Sequence, residues 1–158
     1  MRSEFVEELS NLMHKDGEIF VLLGDLGFGI FDNLRRDFPD RCLNVGSAEQ
    51  LMLGMACGMT LQGKRVICYS ITSFLIYRPF EFIRNYLNHE EIPVKLVGSG
   101  RNTDYMEAGF THHSTEAKSI LSQFENIKLY FPETVNDMRQ IVKDFVYVDS
   151  PAFLSLTR

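Results

Sequence analysis

A glutamate at the start of an apolar helical pattern is the first residue whose position could serve chemistry. Glu49 lies in segment 44–50, and the chain then carries no charged residue until Lys64. A helix that is apolar all round must be covered on every side. Glu49 would then lie in a dry environment, where a carboxylate can exchange a proton with a bound group. The same carboxylate also fits a purely structural role, as an N-terminal cap that the helix dipole stabilises.

Two adjacent histidines follow a polar stretch further along the chain. Segment 99–111 lacks a hydrophobic period and is rich in Gly, Asn, Asp and Thr, which predicts a loop. His112 and His113 follow it, and neutral imidazoles there suit hydrogen bonds to hydroxyl groups or proton transfer near neutral pH. A polar surface loop explains them equally well. Because no third ligand stands at helical spacing, no metal site is predicted in this chain.

Aromatic residues at helical spacing form the third candidate. Phe74, Tyr77 and Phe80 recur every three residues and are expected to share one side of a helix. Such a stripe is usually core, but it could also form a flat wall for a planar ring. Pro79 lies within the predicted helix and indicates a kink or an early break.

A glycine-rich turn carries the last candidate, Asp25. The glycines at 24, 27 and 29 are spaced G-x-x-G-x-G, so the dinucleotide-binding fingerprint is not matched, and no P-loop motif occurs. Asp25 follows an apolar run, where an acid is costly unless it is paired or bound to a ligand. A tight turn that needs positive φ accounts for the glycines without any ligand.

Apolar runs alternate with helical patterns along the whole chain. Strands are predicted at 19–23, 42–45, 65–69, 94–98, 127–131 and 152–157, and helices at 3–15, 30–37, 48–62, 72–89, 114–123 and 135–146. This alternation predicts an α/β fold with three α/β/α layers and a mostly parallel sheet of about six strands. Such sheets bind ligands outside the carboxyl ends of their strands, which is where the candidate residues fall.

Composition limits the class of protein. The 158 residues predict a single domain over 1–158, and the net charge of −5 argues against nucleic-acid binding or an anionic membrane surface. No apolar stretch is long enough for a transmembrane helix and no secretory signal is visible, so we expect a cytoplasmic protein. The three cysteines, odd in number and without C-x-x-C spacing, are predicted to be reduced and mostly buried: Cys42, Cys57 and Cys68.

The ordered motifs resemble the pyrimidine-binding domain of thiamine diphosphate enzymes. The similarity is greatest to transketolase, with deoxyxylulose-phosphate synthase nearby, and it covers 18–158. The motifs are, in order, GDLG, FPDRCLNVGSAEQLMLGMACGMTLQGK, SFLIYRPFEFIR, PVKLVGSG and GFTHH. The resemblance implies the pyrimidine type of the thiamine diphosphate-binding fold.

The resemblance also implies roles for the candidate residues. Glu49 matches the activating carboxylate, which hydrogen-bonds N1′ of the aminopyrimidine and favours the imino tautomer that deprotonates the thiazolium ring. The implied cofactor contacts are Asp25, Glu49, Phe74, Tyr77 and Phe80. His112 matches the substrate-binding histidine of a G-P-T-H segment and is expected to act with Glu49 in catalysis.

Two departures from the family pattern affect substrate contacts. Phe110 stands where the G-P-T-H segment has proline, and the upstream T-H-D segment is replaced by Val-Gly-Ser-Gly at 97–100. One substrate-contacting histidine is thereby lost. Asp104 and His113 are the candidate substitutes.

A second polypeptide is implied by what the sequence lacks. No G-D-G motif occurs, so the diphosphate and Mg²⁺ are expected on a diphosphate-binding transketolase α subunit. The resemblance ends with the last predicted strand, so we expect this chain to carry neither the diphosphate-binding domain nor the family's C-terminal domain. The resemblance therefore implies the β subunit of a split transketolase in an α₂β₂ heterotetramer. The helix predicted at 48–62 has Gly54 and Gly58 four apart, which suits close packing of two such chains.

Three functions remain open. The first is a transferase of the transketolase type, moving a two-carbon ketol unit between sugars or sugar phosphates. The second keeps the cofactor but changes the reaction, as a component of a two-subunit 2-oxoacid decarboxylase or dehydrogenase. The third is a non-catalytic regulatory domain, against which the acid at Glu49 argues, because a structural helix does not need one there.

Overall fold

A parallel sheet forms the centre of the molecule. The computed structural model describes residues 1–136 and 138–158, in which the strands are Ile19–Leu23 (β1), Cys42–Asn44 (β2), Arg65–Ile71 (β3), Lys95–Ser99 (β4), Lys128–Tyr130 (β5) and Ala152–Leu156 (β6). Their order is β2-β1-β3-β4-β6-β5, and every neighbouring pair is parallel. The predicted α/β fold is confirmed, with a sheet that is parallel throughout rather than mostly so.

Helices cover both faces of the sheet. They are Arg2–Met13 (α1), Asp32–Asp37 (α2), Glu49–Leu61 (α3), Thr72–Tyr77 (α4), Phe80–Phe82 (α5), Ala117–Leu121 (α6) and Met138–Tyr147 (α7). One core joins α1, α2 and α7 to one face, and a second joins α3, α4 and α6 to the other. Within the described residues, no helix has the length and apolarity needed to cross a membrane.

Pro79 interrupts the long helix predicted over 72–89. Helix α4 ends at Tyr77, α5 occupies Phe80–Phe82, and the chain continues as a π-helical segment, Ile83–His89. The cause is local, because proline has no N–H to donate and its ring crowds the carbonyl four residues earlier. The predicted break is therefore observed, and it leaves Arg78 at the end of α4.

The order in which strands are added to the sheet changes direction at β1. Strand β2 pairs with one edge of β1 and β3 with the other, and the helices that follow β1 and β3 lie on opposite faces. A crevice forms at such a switch point, outside the carboxyl ends of the strands, and ligands of open α/β sheets bind there. Three residues meet at this point: Gly24, Glu49 and Ser70.

The cysteines are buried and unbridged, as predicted. All three are free thiols inside the two cores. Burial raises the pKa of Cys42 and of Cys57 to about 11, and it also raises the pKa of the fully buried Cys68. These thiols therefore stay protonated near neutral pH and are not nucleophiles.

Gly98, in β4, is held between two side chains and gives a direct test of this packing. An added Cβ would lie 2.5 Å from Thr72 Oγ1 and 2.8 Å from Phe153 Cζ. We expect Gly98→Ala to lower the free energy of unfolding by about 1–3 kcal/mol, because overpacking displaces both neighbours. Urea denaturation measures it, with Gly17→Ala as the control, since nothing lies within 4 Å of a Cβ there. Equal effects of the two substitutions would contradict the described packing.

Candidate active site

Glu49 is a buried carboxylate at the switch point. It begins α3 and is only 1% exposed. Its Oε1 accepts a hydrogen bond from Ser70 Oγ at 2.7 Å, and its Oε2 accepts one from Arg78 Nη1 at 2.8 Å. A Cβ on Gly24 would lie 3.3 Å from Oε1, so glycine leaves room for the carboxylate. Two donors thus fix both oxygens in one orientation.

Arg78 covers this carboxylate and rests on an aromatic ring. Its guanidinium carbon lies 3.8 Å from the centroid of the Phe74 ring, a cation–π contact. The two side chains lie on the same face of the helix because they are four residues apart. Phe74, Arg78 and Glu49 therefore form one continuous group, with Arg78 on its solvent side.

The loop after β4 places His112 against the same group. The loop is fixed to α4 because Thr72 Oγ1 donates to the carbonyl of Gly100 at 2.6 Å and Ser73 Oγ donates to that of Thr111 at 2.8 Å. The His112 ring then meets Phe74 edge to face, with centroids 4.8 Å apart. The structure therefore brings together three residues that the sequence predicted separately: Glu49, Phe74 and His112.

Exposed apolar side chains lie in segments at the same edge of the sheet. Phe28 follows β1, Leu51 lies in the first turn of α3, and Met106 and Phe110 belong to the loop after β4. Each is more than half exposed. Large apolar side chains concentrated at one edge are typical of a surface that another chain covers.

A family model describes the whole chain. The model for "Transketolase, pyrimidine binding domain" matches residues 1–158. The chain belongs to this family. The predicted resemblance to the transketolase pyrimidine-binding domain is thus confirmed.

Individual relatives of this transketolase domain include proteins named as subunits or sections of transketolases. A protein from Actinobacillus succinogenes, named as one of the subunits of apulose-4-phosphate transketolase, is 33% identical over 77% of this chain and 39% of its own length. A putative transketolase C-terminal section from Methanocaldococcus jannaschii is 29% identical over 100% of this chain and 50% of its own. This chain therefore spans about two fifths to one half of these relatives.

A solved structure agrees with the fold of this transketolase domain. It is a split-gene transketolase in an inactive β4 tetramer, 26% identical, with a TM-score of 0.87. The match covers 99% of this chain and 50% of that one. The pyrimidine-binding fold is therefore shown by comparison as well as by topology.

The three aromatic side chains predicted to surround the pyrimidine all contact one segment of the chain, 112–124. Phe74 meets His112, Tyr77 donates a hydrogen bond to Glu116 Oε1, and Phe80 lies 5.6 Å from Phe124 between ring centroids. Burial raises the pKa of Tyr77 and the bond to Glu116 raises it further, whereas the same bond lowers the pKa of Glu116. Of the three rings, Phe74 is the one in contact with Arg78.

Asp25 lies two residues after β1, outside the carboxyl ends of the strands. Its backbone has a φ of 57°, and its side chain is exposed. Asn44 Nδ2 donates to Asp25 Oδ1 at 2.9 Å, and the Asp25 N–H donates to Asn44 Oδ1 at 3.1 Å. Because Asp25 is exposed, it does not carry the cost expected of a buried acid, and its partner is a neutral amide between the ends of β1 and β2.

Asp104 and His113, the two substitute candidates, differ in what they contact. Asp104 Oδ2 accepts hydrogen bonds from the backbone N–H groups of Arg101 and Arg158, both at 2.9 Å. This carboxylate oxygen therefore ties the loop to the segment after β6. His113 Nε2 is buried without a hydrogen-bond partner among the described residues, so it keeps a free polar atom.

Sequence reasoning missed two members of the site, Ser70 and Arg78. Ser70 is hidden within the apolar strand β3, where a hydroxyl near the carboxyl end was the available signal. Arg78 stands four residues after Phe74 and directly before Pro79, so the helical spacing to an aromatic ring was readable. Its contact with Glu49 was not, because it joins elements 29 residues apart. Among the described residues, no cluster could hold a metal ion.

Proposed function

We propose that this chain is the pyrimidine-binding part of a two-subunit, transketolase-like enzyme that moves a two-carbon ketol unit between sugars or sugar phosphates. One observation carries the proposal. The buried Glu49, at the switch point, accepts a hydrogen bond through Oε2 from the planar guanidinium of Arg78, which stacks on Phe74. The names of relatives as parts of transketolases support the same interpretation.

The residues present fit the aminopyrimidine of thiamine diphosphate. That ring is planar, needs an aromatic neighbour and shares a proton with a carboxylate. The planar guanidinium of Arg78 stacks on Phe74 and donates to Glu49, which supports this fit. When bound, thiamine diphosphate supplies a thiazolium carbon nucleophile for ketol transfer. The residues that would hold its pyrimidine end are Asp25, Glu49, Phe74, Tyr77 and Phe80.

Each residue of the site has a distinct role in this proposal. Glu49 holds the shared proton, and Ser70 keeps the carboxylate oriented through its other oxygen. His112 stands beside Phe74, where its imidazole can hydrogen-bond a substrate hydroxyl or transfer a proton. Asp104 and His113 are proposed as further substrate contacts, of which His113 has the unpaired nitrogen.

A partner chain completes the proposed enzyme. The diphosphate and Mg²⁺ would be held by a diphosphate-binding α subunit, because the described residues include no metal-ligating cluster and the sequence lacks G-D-G. Of the exposed apolar side chains at the site edge, Phe28, Met106 and Phe110 supply a surface for it. We further propose self-association through α3 in an α₂β₂ assembly in the cytoplasm.

Reconstitution tests the function directly. The chain is mixed with a diphosphate-binding transketolase subunit, thiamine diphosphate and Mg²⁺, and transfer from a ketose donor to an aldose acceptor is measured. We expect product only when both chains and the cofactor are present. Full activity from this chain alone would contradict the two-subunit proposal. Decarboxylation of a 2-oxoacid in place of ketol transfer would favour the second function, and assembly without either reaction would favour a regulatory domain.

A further inference from the structure

The side chain of Arg78 covers Oε2 of Glu49, and this side chain can move. The Glu49 side chain has 0% exposed area, so no ligand reaches it unless a covering group leaves. Ser70 cannot leave easily, because it is fully buried in β3. Arg78 is 43% exposed on its flexible stem, and it lies at the helix break before Pro79.

The guanidinium of Arg78 shares its binding properties with an aminopyrimidine ring. It is planar and delocalised, stacks on an aromatic face, and donates N–H groups to a carboxylate. Arg78 uses all of these on the two residues assigned to the cofactor, since it stacks on Phe74 and donates to Glu49. The two groups cannot occupy that position together.

We propose that Arg78 holds the place of the aminopyrimidine ring and is displaced when the cofactor binds. The inference rests on the proposed function and adds a residue that sets cofactor affinity. A buried carboxylate without a partner is costly, so Arg78 stabilises the chain before the cofactor arrives. The cofactor can bind only those molecules in which Arg78 has already moved away. Its apparent affinity is therefore the intrinsic affinity multiplied by that fraction.

Cofactor affinity of an Arg78 variant tests the inference. In the assembled protein with Mg²⁺, we expect Arg78→Ala to bind thiamine diphosphate about 10-fold more tightly by calorimetry, as loss of one partly exposed ion pair with its cation–π contact predicts. The urea midpoint measured without cofactor should fall, and saturating cofactor should remove the difference from wild type. Arg84→Ala is the matched control, because Arg84 is exposed and contacts only its neighbour Asn85 among the described hydrogen bonds.

A small guanidinium separates displacement from a general structural effect. Methylguanidine can enter the space vacated in Arg78→Ala, stack on Phe74 and donate to Glu49. At millimolar concentration it should weaken cofactor binding to Arg78→Ala and leave wild type and Arg84→Ala unchanged. Arg78→Gln, which keeps a longer stem, repeats the affinity test if the alanine variant does not assemble.

Each outcome decides the inference. An unchanged dissociation constant in both Arg78 variants would show that Arg78 does not compete with the cofactor. Weaker binding would make it a cofactor ligand, and this too overturns the inference. Absence of cofactor binding by assembled wild type would overturn the proposed function itself, a result distinct from either of these.

Discussion

Replacing Glu49 by Gln should lower kcat of the assembled enzyme by about 10²-fold or more, the scale of losing general acid–base catalysis. The amide keeps the size of the side chain and an oxygen that can accept the hydrogen bond from Ser70. It cannot hold the shared proton. The rate should be measured at saturating thiamine diphosphate, Mg²⁺ and both substrates, so that weaker binding does not enter the result.

The control for this substitution must remove a carboxylate without touching the site. Glu81 is exposed on α5, and Glu81→Gln should leave kcat unchanged. Sedimentation of each variant with its partner shows whether assembly is intact. If Glu49→Gln assembles normally and retains the wild-type rate, Glu49 does not activate the cofactor, and its burial serves only to begin α3.

Strand β1 was predictable because its burial within the sheet leaves an uninterrupted apolar run. Strand β1 has the bounds predicted for 19–23, between glycines at 17 and 24. The starts of short helices were harder to predict, because residues expected in the first turn can form loop contacts instead. The helix predicted from 114 begins at Ala117, since the Ser114 N–H donates to the Asn102 carbonyl and closes the loop instead. This competition depends on a contact that the local pattern does not contain.

The candidate site was predictable to the extent that parallel strands end at one edge. That rule places Glu49, Phe74 and His112 near one another before any coordinates are known. It does not predict which polar group pairs with which. Asp104 was assigned to substrate, yet one oxygen binds the backbone of Arg101 and Arg158. The contact exists because β6 pairs with β4, a choice of strand order that a single sequence does not display.

Substituting Leu51 by Arg should weaken the self-association proposed through α3 at least 100-fold, while the chain itself stays folded. Leu51 is 59% exposed in the first turn of α3, so its replacement removes little packing within the chain. If α3 lies at an interface, the change loses the burial of a leucine, worth about 1.5–3 kcal/mol, and adds an unpaired cation. Each 1.4 kcal/mol lost corresponds to about a tenfold weaker association. Analytical ultracentrifugation over a range of concentrations measures the effect.

Assembly mass is the decisive readout here, because Leu51 lies two residues from Glu49 and could alter activity by itself. Val135→Arg is the matched control, since Val135 is an exposed apolar residue outside α3. It should leave both the mass and the urea midpoint unchanged. An unchanged mass in Leu51→Arg would remove the first turn of α3 from the interface. The apolar cover that this helix requires would then have to come from its remaining turns, and the exposed Leu61 at its other end would be the next residue to test.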